Sequence, residues 1–189
     1  MSDKAKRQII LIGDLEIEGF QMPDGSYRMS QASAAKAVGL GRQNVSDFLR
    51  SKALKQLLGE GYTGQIVQVD IESDDQDRGQ SRINALPVEA VNAYWHWQSY
   101  RGNRTALALC MALSAESIDR RFDAAFGISR SEAEYNQQLA ARLQQTQQQL
   151  ALLSDAYAEP DVLREKVSRL EEQLRQAGIE PWQIEGGDR

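Results

Sequence analysis

The chain has 189 residues, 41% hydrophobic and 26% charged, and its 22 basic residues against 27 acidic ones give a net charge of −5. That length suits one compact domain of about 100–130 residues with an appendage. It contains no apolar run of the ~18 residues that would span a bilayer, and the start of the chain lacks a secretory pattern. The expectation is therefore a cytoplasmic protein with no membrane partner. One cysteine, Cys110, and one histidine, His96, exclude an internal disulfide framework and any cysteine- or histidine-rich metal centre. No cofactor is expected.

Residues 1–7 are expected to be a flexible start. Residues 8–12 and 15–22 show β-branched enrichment or alternation, and Pro23-Asp24-Gly25 supplies a turn before Tyr27-Arg28-Met29, which predicts a short β-meander. From Ser30, a candidate N-cap, the pattern becomes an Ala-rich helix that Gly39 stops; a second helix is predicted over 42–58. Residues 66–71 alternate like a strand and 81–86 can return, giving a second hairpin with an acidic tip over 73–80. Pro87 fits the first turn of a helix reaching Trp97, and after Arg101-Gly102-Asn103 a strong helix over 104–126 ends at Gly127.

Beyond Gly127 the composition turns to Gln, Glu, Ala, Leu and Arg. Leu139, Leu143, Thr146, Leu150, Leu153 and Tyr157 step by alternating fours and threes, as do Leu163, Val167, Leu170, Leu174 and Ala177. The two seams are out of register, and Pro160 between them predicts a break or a restart. A narrow stripe flanked by Gln, Arg and Glu suits a coiled coil, parallel or folded into a hairpin, that makes a homo-oligomer, with a dimer favoured. The alternative is that both stripes pack back on the domain as ordinary amphipathic helices. The division expected is 8–127 for the α+β domain, 128–178 for the oligomerisation helices and 179–189 for a flexible tail.

Charge is unevenly spread. Residues 31–55 carry Lys36, Arg42, Arg50, Lys52 and Lys55 against one Asp47, a local +4, while 61–90 and 129–189 are each at −4. Phosphate contact needs only a local positive face, although a solvated helix surface would look the same.

The spacing of Ala35, Gly39 and Val45 gives the basic stretch a meaning. A helix-turn-helix needs a small residue where its helices cross, a residue tolerant of positive φ in the turn, and an apolar anchor about six positions later. Val38, Leu40, Phe48 and Leu49 then supply core. Arg42, Gln43, Asn44, Ser46, Asp47 and Arg50 are left for the N-terminal end and outer face of the second helix: arginine reads guanine, asparagine and glutamine read adenine, and serine holds phosphate. Lys36, Lys52 and Lys55 are expected to be phosphate contacts. A β-element before the helix pair and a hairpin after it make the fold winged-helix-like, although the acidic tip would be repelled by DNA and leaves only Arg78 and Arg82 able to reach a backbone.

The run Asp24-Gly25-Ser26-Tyr27-Arg28-Met29-Ser30-Gln31-Ala32-Ser33-Ala34-Ala35-Lys36-Ala37, followed by Val45-Ser46-Asp47-Phe48-Leu49-Arg50-Ser51-Lys52, resembles the KilA-N and phage antirepressor N-terminal domains. The resemblance covers residues 15–60 and extends loosely to 126. It implies a sequence-specific DNA-binding regulator, without catalytic residues, coupled to a variable C-terminal module.

Other constellations carry less. Tyr94, Trp95, Trp97 and Tyr100 could stack on bases, but core anchoring is the expectation, with His96 on the solvated side. Asp75, Asp77 and Gly79 lack the later glutamate of a calcium loop. Cys110 reads as a small buried apolar residue. The sequence thus points to a double-stranded-DNA-binding regulator that acts as an oligomer and is not an enzyme; the alternative is an adaptor or antirepressor that binds proteins through its helices and leaves DNA untouched.

Overall fold

The structure, a computed structural model, describes residues 4–62, 67–70, 82–176 and 178. It is α+β, with an antiparallel sheet and a helical layer. The chain runs β1 (Lys6–Ile12), β2 (Leu15–Gln21), β3 (Tyr27–Ser30), α1 (Gln31–Lys36), α2 (Arg42–Arg50), α3 (Lys52–Leu58), β4 (Val67–Asp70), β5 (Arg82–Pro87), α4 (Val88–Tyr100), α5 (Arg104–Phe126) and α6 (Glu132–Gln176). Strand β1 already begins within the stretch expected to be flexible.

The meander forms as its alternation demands. Ile12 pairs with Leu15 across a two-residue turn in which Gly13 adopts a φ of 60°. Ile17 of β2 faces the helices, while Phe20 on the other face joins a small cluster with Ala5 and Ala85. The second hairpin is not a separate wing at its base: β5 pairs with β3, Met29 against Leu86, so the described strands form one sheet ordered β1-β2-β3-β5-β4. Its acidic tip, Asp74 to Gln80 with Arg78, lies outside the described residues.

Ser30 caps α1 by accepting from the Ser33 amide at 3.0 Å. The Ser33 hydroxyl in turn accepts from the Glu18 amide at 3.1 Å, which fixes the helix start to β2. The predicted helix over 42–58 is in fact two. Ser51 takes extended angles (φ −80°, ψ 157°), and its hydroxyl donates to the Phe48 carbonyl at 2.7 Å. A serine hydroxyl competes with the helical ladder for local carbonyls, and here it ends α2 and lets α3 start afresh. The helix after the second hairpin runs to Tyr100, and the one after it ends at Gly127 as its sequence indicates.

The largest departure lies in α6. Ser131 and Glu134 start it as a reciprocal cap: the Ser131 amide donates to the Glu134 carboxylate at 2.7 Å and the Ser131 hydroxyl accepts from the Glu134 amide at 3.3 Å. Its first turns then pack into the core through Tyr135, Leu139 and Leu143, all buried. Leu139 and Leu143, expected on an oligomer seam, are core residues of their own chain, and the first compact unit closes at Gln147 rather than at Gly127. Pro160 does not interrupt the helical backbone. Proline removes one i→i−4 hydrogen bond, which bends or weakens a helix without having to end it. In the second unit, residues 148–189, Leu150 and Leu174 are half-buried and Leu153, Val167 and Leu170 exposed. The side chain of Leu163 and the segment 179–189 lie outside the described residues.

Candidate nucleic-acid interface

The two helices of the basic stretch are joined by a tightly specified turn. The Leu40 amide donates to the Ala35 carbonyl at 2.9 Å and the Gly39 amide to the Lys36 carbonyl at 3.0 Å, the paired bonds of a left-handed helix terminator. Gly39 has a φ of 72°, which a residue with a Cβ adopts only under strain. Ala35 and Val45, the crossing residue and the anchor, are buried, as are Val38 and Phe48. The spacing that singled out Ala35, Gly39 and Val45 thus falls on two buried residues, one in each of α1 and α2, and on the positive-φ glycine of the turn between them.

Helix α4 braces this pair from behind. Trp95 Nε1 donates to the Ala34 carbonyl at 2.9 Å, and the Phe48 and Tyr94 rings meet at 5.5 Å. Asn103, the N-cap of α5, donates through Nδ2 to the Val38 carbonyl in the turn at 3.0 Å. Tyr94 and Trp95 are thus core anchors, His96 is solvated, and Cys110 is buried with its thiol pushed up by desolvation. Trp97 stacks on the exposed Tyr100 at 5.7 Å.

The outer face of α2 carries Arg42, Gln43, Asp47 and Arg50, all exposed, with Ser46 half-buried among them. Helical spacing puts these five on one strip. The strip is internally bonded. Asp47 Oδ1 accepts from Gln43 Nε2 at 2.9 Å and from Arg50 Nη2 at 2.9 Å. Arg42 is steadied by its Nε donating to Gln31 Oε1 at 3.2 Å, and Gln31 is buried. Only Gln31 among these partners had no signal in the sequence beyond its place in the first turn of α1.

Asn44 differs from its neighbours. Its Oδ1 accepts from the Tyr94 hydroxyl at 3.2 Å and from Gln98 Nε2 at 2.6 Å, so the side chain is turned inward and joins α2 to α4. Its side-chain oxygen is thus taken up by α4, unlike the exposed side chains of Arg42 and Gln43. The lysines are also dispersed. Lys36 lines a groove of about 480 Å³ with Asp14, Thr105, Leu143 and Gln144, while Lys52 and Lys55 are exposed on α3, beyond the Ser51 bend. The structure brings Arg42, Gln43, Ser46 and Arg50 together and leaves the three lysines at the margins.

Burial pushes the Tyr94 hydroxyl up to about 12. The phenol is neutral in both the folded and the unfolded chain below its ordinary pKa of about 10, and the unfolded chain ionises first above it. Its contribution to stability is therefore full below about pH 10 and is lost as pH rises toward 12. Urea denaturation across that range is expected to show a decline that Tyr94→Phe flattens; an unchanged slope would mean that the hydroxyl is not held neutral by the fold.

Compared with known proteins, the chain matches no family model, no curated protein and no solved structure. Among the described residues no group of three or more His, Cys, Asp or Glu is placed to hold a metal ion, and no helix is long and apolar enough to cross a membrane.

Proposed function

We propose that this protein binds double-stranded DNA through the outer strip of α2 and acts as an oligomeric regulator. The observation that carries the reading is the combination of a buried Val45 anchor, a glycine turn and an exposed strip of Arg42, Gln43, Ser46 and Arg50 on one helix. These are the side-chain types that read guanine and adenine edges or hold phosphate in a major groove. The resemblance of residues 15–60 to KilA-N domains supports it, as does the local +4 of residues 31–55. Lys36, Lys52 and Lys55 serve as flanking phosphate contacts, and Asn44 sets the pose of α2. Self-association falls to the part of α6 in the second unit, where Leu153, Val167 and Leu170 leave an apolar stripe without cover in the single chain.

Titration of labelled duplex DNA at several salt concentrations tests the reading. Arg42→Ala with Arg50→Ala is expected to weaken binding by tenfold or more and to lower the salt slope by about two phosphate charges. Asp47→Asn is expected to tighten binding several-fold, because it removes the one carboxylate on the strip and releases Gln43 and Arg50. No retention on duplex DNA at low salt, or a double variant that binds as the natural chain does, overturns it.

A second reading is favoured by one observation. Asp47 already engages Gln43 and Arg50, so the strip is self-satisfied and carries an acid that DNA would repel. That arrangement suits an adaptor docking its helices on another protein, which heparin and duplex DNA would fail to retain.

A further inference from the structure

Helix α4 ends in an aromatic pair that the core only half absorbs. Trp97 packs half-buried against the core, and the Tyr100 ring stacks on it with centroids 5.7 Å apart and planes 23° from parallel. An offset stack at this separation holds a ring in place. Tyr100 is nevertheless 83% exposed, more than any other large apolar side chain among the described residues. Burial accounts for the aromatic side chains of Tyr94 and Trp95, which lie inside, but it gives Tyr100 no role. The ring presents a steadied aromatic face to solvent, so little rotamer freedom is left to lose when another ring stacks on it.

The chain turns immediately beyond that ring. The Arg101 amide donates to the Trp97 carbonyl at 3.0 Å, the Gly102 amide to the Ser99 carbonyl at 3.0 Å and the Asn103 amide to the Gln98 carbonyl at 2.9 Å, which binds the end of α4 and the start of α5 into one tight corner. Two arginines stand on this corner, Arg101 and Arg104. Both are exposed, and among the described residues no hydrogen bond or ion pair engages either side chain. Arg42, Arg50, Arg120 and Arg142, by contrast, each have an acceptor. Residues 90–115 contain no acid, so the corner keeps a local charge of +2. A bare aromatic face beside two free guanidiniums matches the chemistry of single-strand nucleic-acid binding, in which a base stacks on the ring and adjoining phosphates meet the cations. A duplex cannot use the ring in this way, because its base faces are covered by neighbouring pairs.

We propose that Tyr100, backed by Trp97 and flanked by Arg101 and Arg104, binds an unpaired nucleobase and its neighbouring phosphates in single-stranded DNA or RNA. The surface uses none of the residues of the α2 strip, so its failure would leave the duplex reading standing. Anisotropy titration of labelled oligo(dT) and oligo(U) with the full chain at low salt tests it. Binding of at least one is expected, and the tighter of the two identifies the sugar preferred. Tyr100→Ala is expected to weaken that binding tenfold or more and to leave duplex binding unchanged, while Tyr100→Phe, which keeps the ring, binds as the natural chain does. Arg101→Gln with Arg104→Gln is expected to lower the salt slope by about 1.4, at about 0.7 for each phosphate contact on a single strand. Since the Tyr100 ring is exposed, the melting temperature of Tyr100→Ala should match that of the natural chain, so a loss of binding reports the platform and not the fold. No binding of either oligonucleotide, a Tyr100→Ala chain that holds them as tightly as the natural one, or an equal loss on duplex DNA overturns the proposal.

Discussion

Trp95→Ala is expected to lower the stability of the first unit by about 3–5 kcal/mol, the range for removing a large buried aromatic side chain. The indole is only 5% exposed, so its removal leaves a largely unfilled cavity. A second penalty adds to the first. The Ala34 carbonyl belongs to the last turn of α1, where helix carbonyls have no intrahelical donor, and Trp95 Nε1 supplies one at 2.9 Å. Trp95→Phe keeps much of the volume and removes that bond, so it should cost about 1–3 kcal/mol, the penalty for a buried acceptor left without a partner. Urea unfolding followed by circular dichroism separates the two contributions. A cost below about 1 kcal/mol for Trp95→Ala, far short of the cavity scale, would show that α4 does not brace the helix pair. Because α1 sets the angle at which α2 is presented, both variants should also weaken any ligand of the α2 strip.

The parts of this fold that were legible in the sequence are those fixed by local chemistry. Ser30 caps α1, Gly39 and Gly127 end helices, and alternation over 15–21 marks β2, because each of these outcomes is decided within a few residues of chain. The helix break at Ser51 is local too, but nothing distinguishes a serine that bonds back to the carbonyl three residues earlier from one that faces water until the chain has bent. The inward turn of Asn44 depends on Tyr94 and Gln98, some fifty positions away, and no periodicity along α2 records their presence. Polar type alone assigned Asn44 to the reading face along with Gln43; tertiary partners divided them. Gln31 and Gln98, both buried, belong to the same class of residue, since their burial is tolerable only because each has found a hydrogen-bonding partner.

Heptad spacing in α6 raises the same difficulty on a larger scale. Steps of four and three place side chains on one stripe whether that stripe meets a partner subunit or its own domain. Leu139 and Leu143 meet their own domain, and the polar residues around them show how. Asn136 holds both polar groups of Gly13 in the turn, accepting from its amide at 2.8 Å and donating to its carbonyl at 3.0 Å. Tyr135 donates to Asp123 at 3.0 Å, and the Arg120 guanidinium lies 4.0 Å from the Tyr135 ring centre while pairing with Glu132. These bonds fix the start of α6 on α5 and on the β1–β2 turn. Leu139→Ala is therefore expected to destabilise the first unit by about 2–5 kcal/mol, as for a core leucine. The melting temperature should fall by the same amount at every protein concentration, because Leu139 packs against residues of its own chain. A leucine on an intersubunit seam behaves differently: its removal matters most in dilute solution, and the effect shrinks by mass action as concentration rises. Melting curves of Leu139→Ala over a hundredfold range of concentration distinguish the two, and a concentration-dependent drop would return Leu139 to the oligomer seam.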